Sequence, residues 1–316
     1  MNSRYPWLDK AWSVFQSSLN SDKLPHAILI HGPEGTGKRA LAERMLERLV
    51  CTDAGETACG ACRSCSLFRS GAHPDWFLLE PEEGKHQIGI DQVRETIAAL
   101  TLTASFSPYK LALITPAEAM NNHSANALLK SLEEPPGDTI MILVSHDASR
   151  LPVTIRSRCQ SIVVALPEPG VAQAWVAEQP GMDASMATEA LRVAGGSPLR
   201  AVELAGSGDL ELHRRLHQQL SQLLGRPGLV TRASSELSDI STATLWSWLS
   251  NSSAELLSSL MQNKPVDWLP SERPIDPRKL ADLQQGADRN RQLAKTPVRQ
   301  DLLLQDWLIR WSRLAN

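Results

Sequence analysis

The sequence has no basic excess, no long apolar run, no internal repeat and no low-complexity tract. Its 32 lysines and arginines are outnumbered by 35 aspartates and glutamates, a formal charge of -3 over 316 residues. A free-standing nucleic-acid binder usually carries a strong positive surplus to neutralise phosphate, so the balance argues against that class and leaves only local basic patches. The longest apolar runs, such as Ile140 to Val144, fall far short of the ~20 residues that span a bilayer. The opening segment MNSRYPWLDKAW has no positive stretch followed by an apolar core, which predicts no secretory leader and a cytoplasmic protein with no membrane partner. An apolar share of 42% suits a globular chain, and the length suits two or three domains at roughly 100–200 residues each.

Cysteine is scarce but clustered. Of five, Cys51, Cys59, Cys62 and Cys65 share one short segment and Cys159 stands alone. In a cytoplasmic chain such clustering points to metal ligation sooner than to disulfides. Short C-x-x-C-x-x-C loops turn thiolates inward around one ion, and four sulfurs match tetrahedral zinc with no position left for water. The site is therefore expected to be structural. A four-cysteine iron–sulfur cluster is the alternative ligand set, and ordinary buried thiols are the bland one.

The first half alternates strands and helices. Apolar strands are predicted at 27–31, 75–80, 110–115, 139–145 and 160–165. Helices are predicted at about 39–50, from Asp91 through Leu100, and from Asn121 or Asn122 to Leu132, where Pro135-Pro136 stops the backbone ladder. Near-continuous apolar strands separated by helices imply a parallel sheet covered on both faces. After Leu166-Pro167-Glu168-Pro169-Gly170 only helical periodicity remains. Its stripes include Leu212, Leu216, Leu220 and Leu223, then Leu245, Leu249, Leu256 and Leu260, then Leu303, Trp307, Trp311 and Leu314, all expected to be core. A proline-rich loop from Lys264 to Pro277 interrupts them.

Between the first strand and helix lies Gly32-Pro33-Glu34-Gly35-Thr36-Gly37-Lys38-Arg39. Gly32, Gly35, Thr36, Gly37 and Lys38 have P-loop spacing in the P-loop setting, where backbone N–H groups and a helix N-terminus meet phosphate. Two parts are missing. The position after the lysine should carry a magnesium-binding hydroxyl and carries Arg39. The third strand should end in acids that hold magnesium and activate water, and it ends in Thr115-Pro116, with Glu118 two residues late. No magnesium site or hydrolysis is expected, while ATP binding stays open.

Leu24-Pro25-His26-Ala27, the P-loop, the four cysteines, the run Ser124-Ala125-Asn126-Ala127-Leu128-Leu129-Lys130-Ser131-Leu132-Glu133-Glu134-Pro135-Pro136 and the run Leu151 to Cys159 ending Ser157-Arg158-Cys159 occur in the order found in clamp-loader AAA+ subunits. The chain resembles that family, which belongs to bacterial DNA polymerase III. The specific motifs cover its first half. Among its types the chain resembles the non-motor delta-prime branch, because gamma/tau motors keep the magnesium hydroxyl and an Asp-Glu pair, and because of Tyr5-Pro6-Trp7-Leu8. An active gamma/tau-type ATPase is the alternative; a small-molecule kinase and a zinc-bearing DNA binder are weaker ones. The resemblance implies an α/β fold: a RecA-like AAA+ domain over 1–166 with a zinc module at 51–65, a helical lid over 167–207 and an all-helical collar over 208–316. It further implies a pentameric ring with gamma/tau and delta subunits, acting on a sliding clamp and primer–template DNA during replication. Arg158 would be an arginine finger offered in trans to a neighbour's ATP, with Arg156 as its nearest competitor. A sensor arginine would follow the lid's Gly-Ser turn, but Arg200 in Gly196-Ser197-Pro198-Leu199-Arg200 stands one residue late, and its bland reading is a solvated helix residue.

Overall fold

A computed structural model describes residues 5–21, 23–269, 274–294, 296 and 298–315. The chain forms two compact units. One runs to Trp175 and includes Ser197–Arg200; the other comprises Val176–Gly196 and the chain from Ala201 onward.

The first unit is built on five parallel strands: β1 (Ala27–His31), β2 (Trp76–Leu79), β3 (Lys110–Ile114), β4 (Thr139–Ser145) and β5 (Gln160–Val163). Their spatial order is β2-β3-β4-β1-β5, with Ile28 opposite Ile142 and Leu113 opposite Ile142 on the other side. Successive side chains of a strand point to opposite faces, and both faces are covered. Ile28, Ile30, Leu111, Leu113, Ile142 and Val144 pack against α1 (Asp9–Asn20) and α2 (Lys38–Val50) through Trp12, Phe15, Met45 and Leu46. Ala27, Leu29, Ala112, Ile114, Met141 and Leu143 pack on the other face against α4 (Ile90–Leu100) and α5 (Asn122–Glu133) through Val93, Leu128 and Leu132. Asn121 caps α5 by accepting the amides of His123 and Ser124, and the helix stops ahead of Pro135. The sequence reading misses α1 and the short α3 (Arg63–Arg69) that carries Cys65. β2 and β5, the two edge strands, are shorter than the expected 75–80 and 160–165. At the N-terminal end of the sheet the carboxylate of Asp75, wholly buried, pairs with Lys110 at 2.8 Å and accepts the amides of Ser105, Phe106 and Ser107.

The remaining helices are α6 (Val153–Arg156), α7 (Pro169–Ala177), α8 (Ala184–Val193), α9 (Pro198–Ser207), α10 (Asp209–Leu223), α11 (Val230–Glu236), α12 (Thr242–Gln262), α13 (Pro277–Leu293) and α14 (Gln300–Ser312). In the second unit the buried face of α10 is His213, Leu216, His217, Leu220 and Leu223, and Leu212 lies at its margin. Leu260, expected in the core, is exposed near the end of α12, and on α14 Leu304 is buried where Leu303 is only partly so. Leu245, Leu249 and Leu256 are buried, as are Trp307, Trp311 and Leu314. Of the proline-rich loop, residues 270–273 lie outside the described residues. No helix among the described residues is long and apolar enough to cross a membrane.

Candidate functional site

The phosphate loop leaves β1 at the C-terminal edge of the sheet and enters α2. Three of its glycines hold positive φ: Gly32 at 147°, Gly35 at 73° and Gly37 at 83°. Glycine is required at Gly32, where a Cβ would lie 1.9 Å from the Val164 carbonyl oxygen, and at Gly35, where it would meet Ser197 Oγ at 2.3 Å. The Thr36 hydroxyl donates to the Pro33 carbonyl at 2.9 Å, and Trp7 Nε1 donates to the Thr36 carbonyl at 2.8 Å. Lys38 is buried and its ammonium donates to the Pro33 carbonyl, within the loop itself. Burial draws the Lys38 pKa down to about 8, against the attraction of Glu118 and Glu34.

Arg39 turns away from the loop. Its guanidinium donates to Glu43 one helical turn on at 2.9 Å and to Glu80, just beyond β2, at 2.8 Å. It ties α2 to the end of β2 and presents no oxygen. Beyond β3, Thr115-Pro116 offers no carboxylate. Glu118 accepts the His146 amide at 2.9 Å, so one of its oxygens is engaged at the end of β4. Burial, reinforced by Lys38, pushes the His146 pKa down.

Arg200 reaches the loop in spite of its one-residue offset. Leu199 donates its amide to the Gly35 carbonyl at 3.1 Å, Ser197 Oγ donates to the Glu34 carbonyl at 2.6 Å, and the Arg200 guanidinium lies 3.6 Å from the Glu34 carboxylate. Arg200 therefore has a partner in the loop and is not a purely solvated residue.

The four clustered cysteines converge. Cys51 follows α2, Cys59 lies in the loop, Cys62 caps α3 and Cys65 sits in its first turn. Their sulfurs lie within 4.8 Å of one another, and Cys51 Sγ is 3.9 Å from Cys62 Sγ. A zinc tetrahedron with Zn–S bonds of about 2.3 Å has edges of about 3.8 Å, so the quartet fits a four-thiolate centre. Backbone amides also aim at sulfur: Cys59 N–H at Cys51, Cys62 N–H at Cys59 and Cys65 N–H at Cys62. Such donors favour thiolate. The Cys65 amide and the Thr52 hydroxyl hold the Cys62 pKa at about 5, while burial pushes Cys51 and Cys65 up. Cys159 is buried at the start of β5, outside the quartet, and burial raises its pKa to about 11.

Arg158 follows α6 at the surface with its side chain one-third exposed, and bonds Glu133 and the Thr154 carbonyl. Arg156, exposed, lies close enough to His31 to depress its pKa, after burial and Lys38.

A family model described as DNA polymerase III, delta subunit, matches residues 7–168. The DNA polymerase III subunit delta' of Pseudomonas aeruginosa is 40% identical over 246 residues, covering 77% of this chain and 74% of that protein. The Escherichia coli subunit of the same name is 35% identical over 218 residues, 69% of this chain and 65% of that one. DNA polymerase III subunit tau of Bacillus subtilis is 33% identical over 148 residues, only 46% of this chain and 26% of its own length. The delta' proteins thus match a larger share of the chain than the tau protein does, and the chain belongs to the family of DNA polymerase III delta-prime subunits.

Proposed function

We propose that the chain works in the clamp loader of bacterial DNA polymerase III as a non-hydrolysing delta-prime subunit. Arg39 carries the reading. The residue that would offer a hydroxyl to magnesium is an arginine bound on two sides by Glu43 and Glu80, and its positive charge opposes a divalent cation there. With Thr115-Pro116 across the sheet, both protein contacts to magnesium are gone, and with them the acid that would activate water. Gly32, Gly35, Thr36, Gly37 and Lys38 keep a phosphate-loop shape without that apparatus.

Three functional regions follow: a RecA-like AAA+ domain over 1–166, a lid over 167–207 and a collar over 208–316 that joins gamma/tau and delta subunits in a pentameric ring. Cys51, Cys59, Cys62 and Cys65 hold one structural zinc. When bound, the ion cross-links the end of α2 to α3; it takes no part in hydrolysis. Arg158 reaches a neighbouring subunit's ATP, where a guanidinium stabilises charge developing on the γ-phosphate. The assembly places a sliding clamp on primer–template DNA.

Reconstitution tests the reading. A loader assembled with this chain should place clamps on primed DNA, and one lacking it should not. The isolated chain should hydrolyse no ATP with magnesium. Magnesium-dependent turnover abolished by Lys38→Ala would make it a gamma/tau-type motor instead.

A further inference from the structure

Ser64 sits between Cys62 and Cys65 and is almost wholly buried. Its Oγ donates to the carbonyl of Val50, the residue before Cys51, at 2.7 Å. The same oxygen lies 2.8 Å from Nε2 of His73, also buried. On the far side of that ring Nδ1 faces the Asp75 amide at 3.2 Å. An N–H can only donate, so Nδ1 is the acceptor, Nε2 carries the proton, and His73 donates to Ser64. Asp75 is fixed in turn by Lys110 at the head of β3. A buried hydrogen-bond chain therefore runs from the cysteine segment to the sheet.

A serine beside a histidine resembles a nucleophile and its base. Here the serine proton is committed to Val50, and both side chains are enclosed. No substrate reaches them, so the pair has another use. It joins two of the chain segments that supply the quartet, Val50-Cys51 on one side and α3 with its cap on the other, by a bond that needs no metal.

We propose that Ser64 and His73 are positioning residues of the cysteine centre, holding Cys51 in register with Cys62 and Cys65 so that a metal finds its ligands already gathered. This rests on the zinc reading above. Residues that orient ligands without touching the metal typically change its retention by about 10- to 100-fold.

Zinc release from the purified full chain into a colorimetric chelator, at a temperature where every variant is folded by circular dichroism, tests the proposal. Ser64→Ala and His73→Ala should release zinc about 10- to 100-fold faster than the parent. Ser64→Thr, which keeps the hydroxyl, should restore the parent rate, and His73→Gln, which keeps a donor towards Ser64, should lie between. In the Co²⁺-loaded protein the visible d–d band, which reports ligand geometry, should shift in Ser64→Ala and not in Ser64→Thr. Parent-like release and spectrum in Ser64→Ala would overturn the positioning role while leaving the metal centre standing. If Ser64→Ala does not fold, His73→Ala with parent-like release does the same. A parent protein that binds neither Zn²⁺ nor Co²⁺ would overturn the zinc reading, and the proposal with it.

Discussion

Arg158 and Glu133 are joined within one chain: Nη2 donates to Glu133 Oε1 at 2.5 Å while Nη1 donates to the Thr154 carbonyl at 2.8 Å. Both side chains are partly exposed. A pair of this kind is worth roughly 0–1 kcal/mol, which a neighbour's phosphate in a drier junction easily outweighs. Arg158→Ala should leave the chain folded and able to assemble, yet slow ATP hydrolysis at the adjoining junction by ~10³-fold. Single-turnover hydrolysis by the assembled complex measures this. A normal rate in a complete complex would reduce Arg158 to its surface ion pair.

Lys38 supports a different outcome. Its ammonium is engaged by the Pro33 carbonyl, within the loop itself. Lys38→Ala should therefore leave clamp loading within about twofold of the parent. Arg39→Thr alone should not create an ATPase, because Thr115-Pro116 still supplies no acid. Calorimetric titration with ATP, with and without Mg²⁺, should show no magnesium-dependent gain in affinity. A gain of tenfold or more would place a cation in the loop.

The cysteine quartet predicts about one Zn²⁺ per chain by metal analysis, with iron absent. Removing it with a chelator, or replacing Cys51 by Ser, should lower the melting temperature, since metal binding adds directly to folding free energy. The loss should be confined to the first unit, so amide exchange should quicken in α3 and leave α12 unchanged. Iron in place of zinc would favour a cluster.

The buried pair at the foot of the sheet gives a stability prediction. Burial pushes the Asp75 carboxyl up, but Lys110 and the amides of residues 105–107 hold it at about 2. Lys110→Met removes the cation and leaves a buried carboxylate. It should cost about 3–5 kcal/mol in denaturant unfolding. A loss below 1 kcal/mol would show that the three amides suffice.

The strands were legible because each is a short, nearly unbroken apolar run between turn residues, and the P-loop and cysteines because their spacing is local. What escaped depends on partners far along the chain. Arg39 looks like a lone charge until Glu80 is placed beside it, and Arg200 looks solvated until Glu34 is. Ser64 and His73 carry no local pattern that marks them as a pair. On α10, Leu216 and Leu220 gave the helical period correctly, but the histidines sharing their face were passed over because imidazole is polar by type. Only packing makes His213 and His217 core residues. Leu260 fails in the opposite sense: its period matches the stripe, yet it is exposed near the end of α12.

Those two histidines make the last prediction. Their rings are 4.1 Å apart; His213 meets Trp248 edge-on, and His217 stacks on Trp268 and bonds Ser252 Oγ at 2.8 Å. Burial, with Arg192 nearby, pushes the His213 pKa down to about 4, and burial with His213 pushes His217 down to about 2. An unfolded histidine titrates near 6.5. Between that value and the folded pKa, the unfolded chain binds more protons than the folded one, so stability falls as pH falls. The contribution is complete above pH 6.5 and drains away towards pH 4 for His213 and pH 2 for His217. Each ring costs up to ~1.4 kcal/mol per pH unit inside its window. The Asp75 loss sets in only below about pH 5, so the interval from pH 6.5 to 5 is free of it. Thermal unfolding should therefore weaken clearly from pH 6.5 to 5, with amide exchange along α10 quickening in step. His217→Gln keeps a hydrogen-bonding group for Ser252 without a titrating ring. It should flatten that slope by up to ~1.4 kcal/mol per pH unit, even if its stability at pH 8 is lower. An unchanged slope between pH 6.5 and 5 in a folded His217→Gln would mean that the imidazole charges freely in the native state, and that the α10 face opens to water.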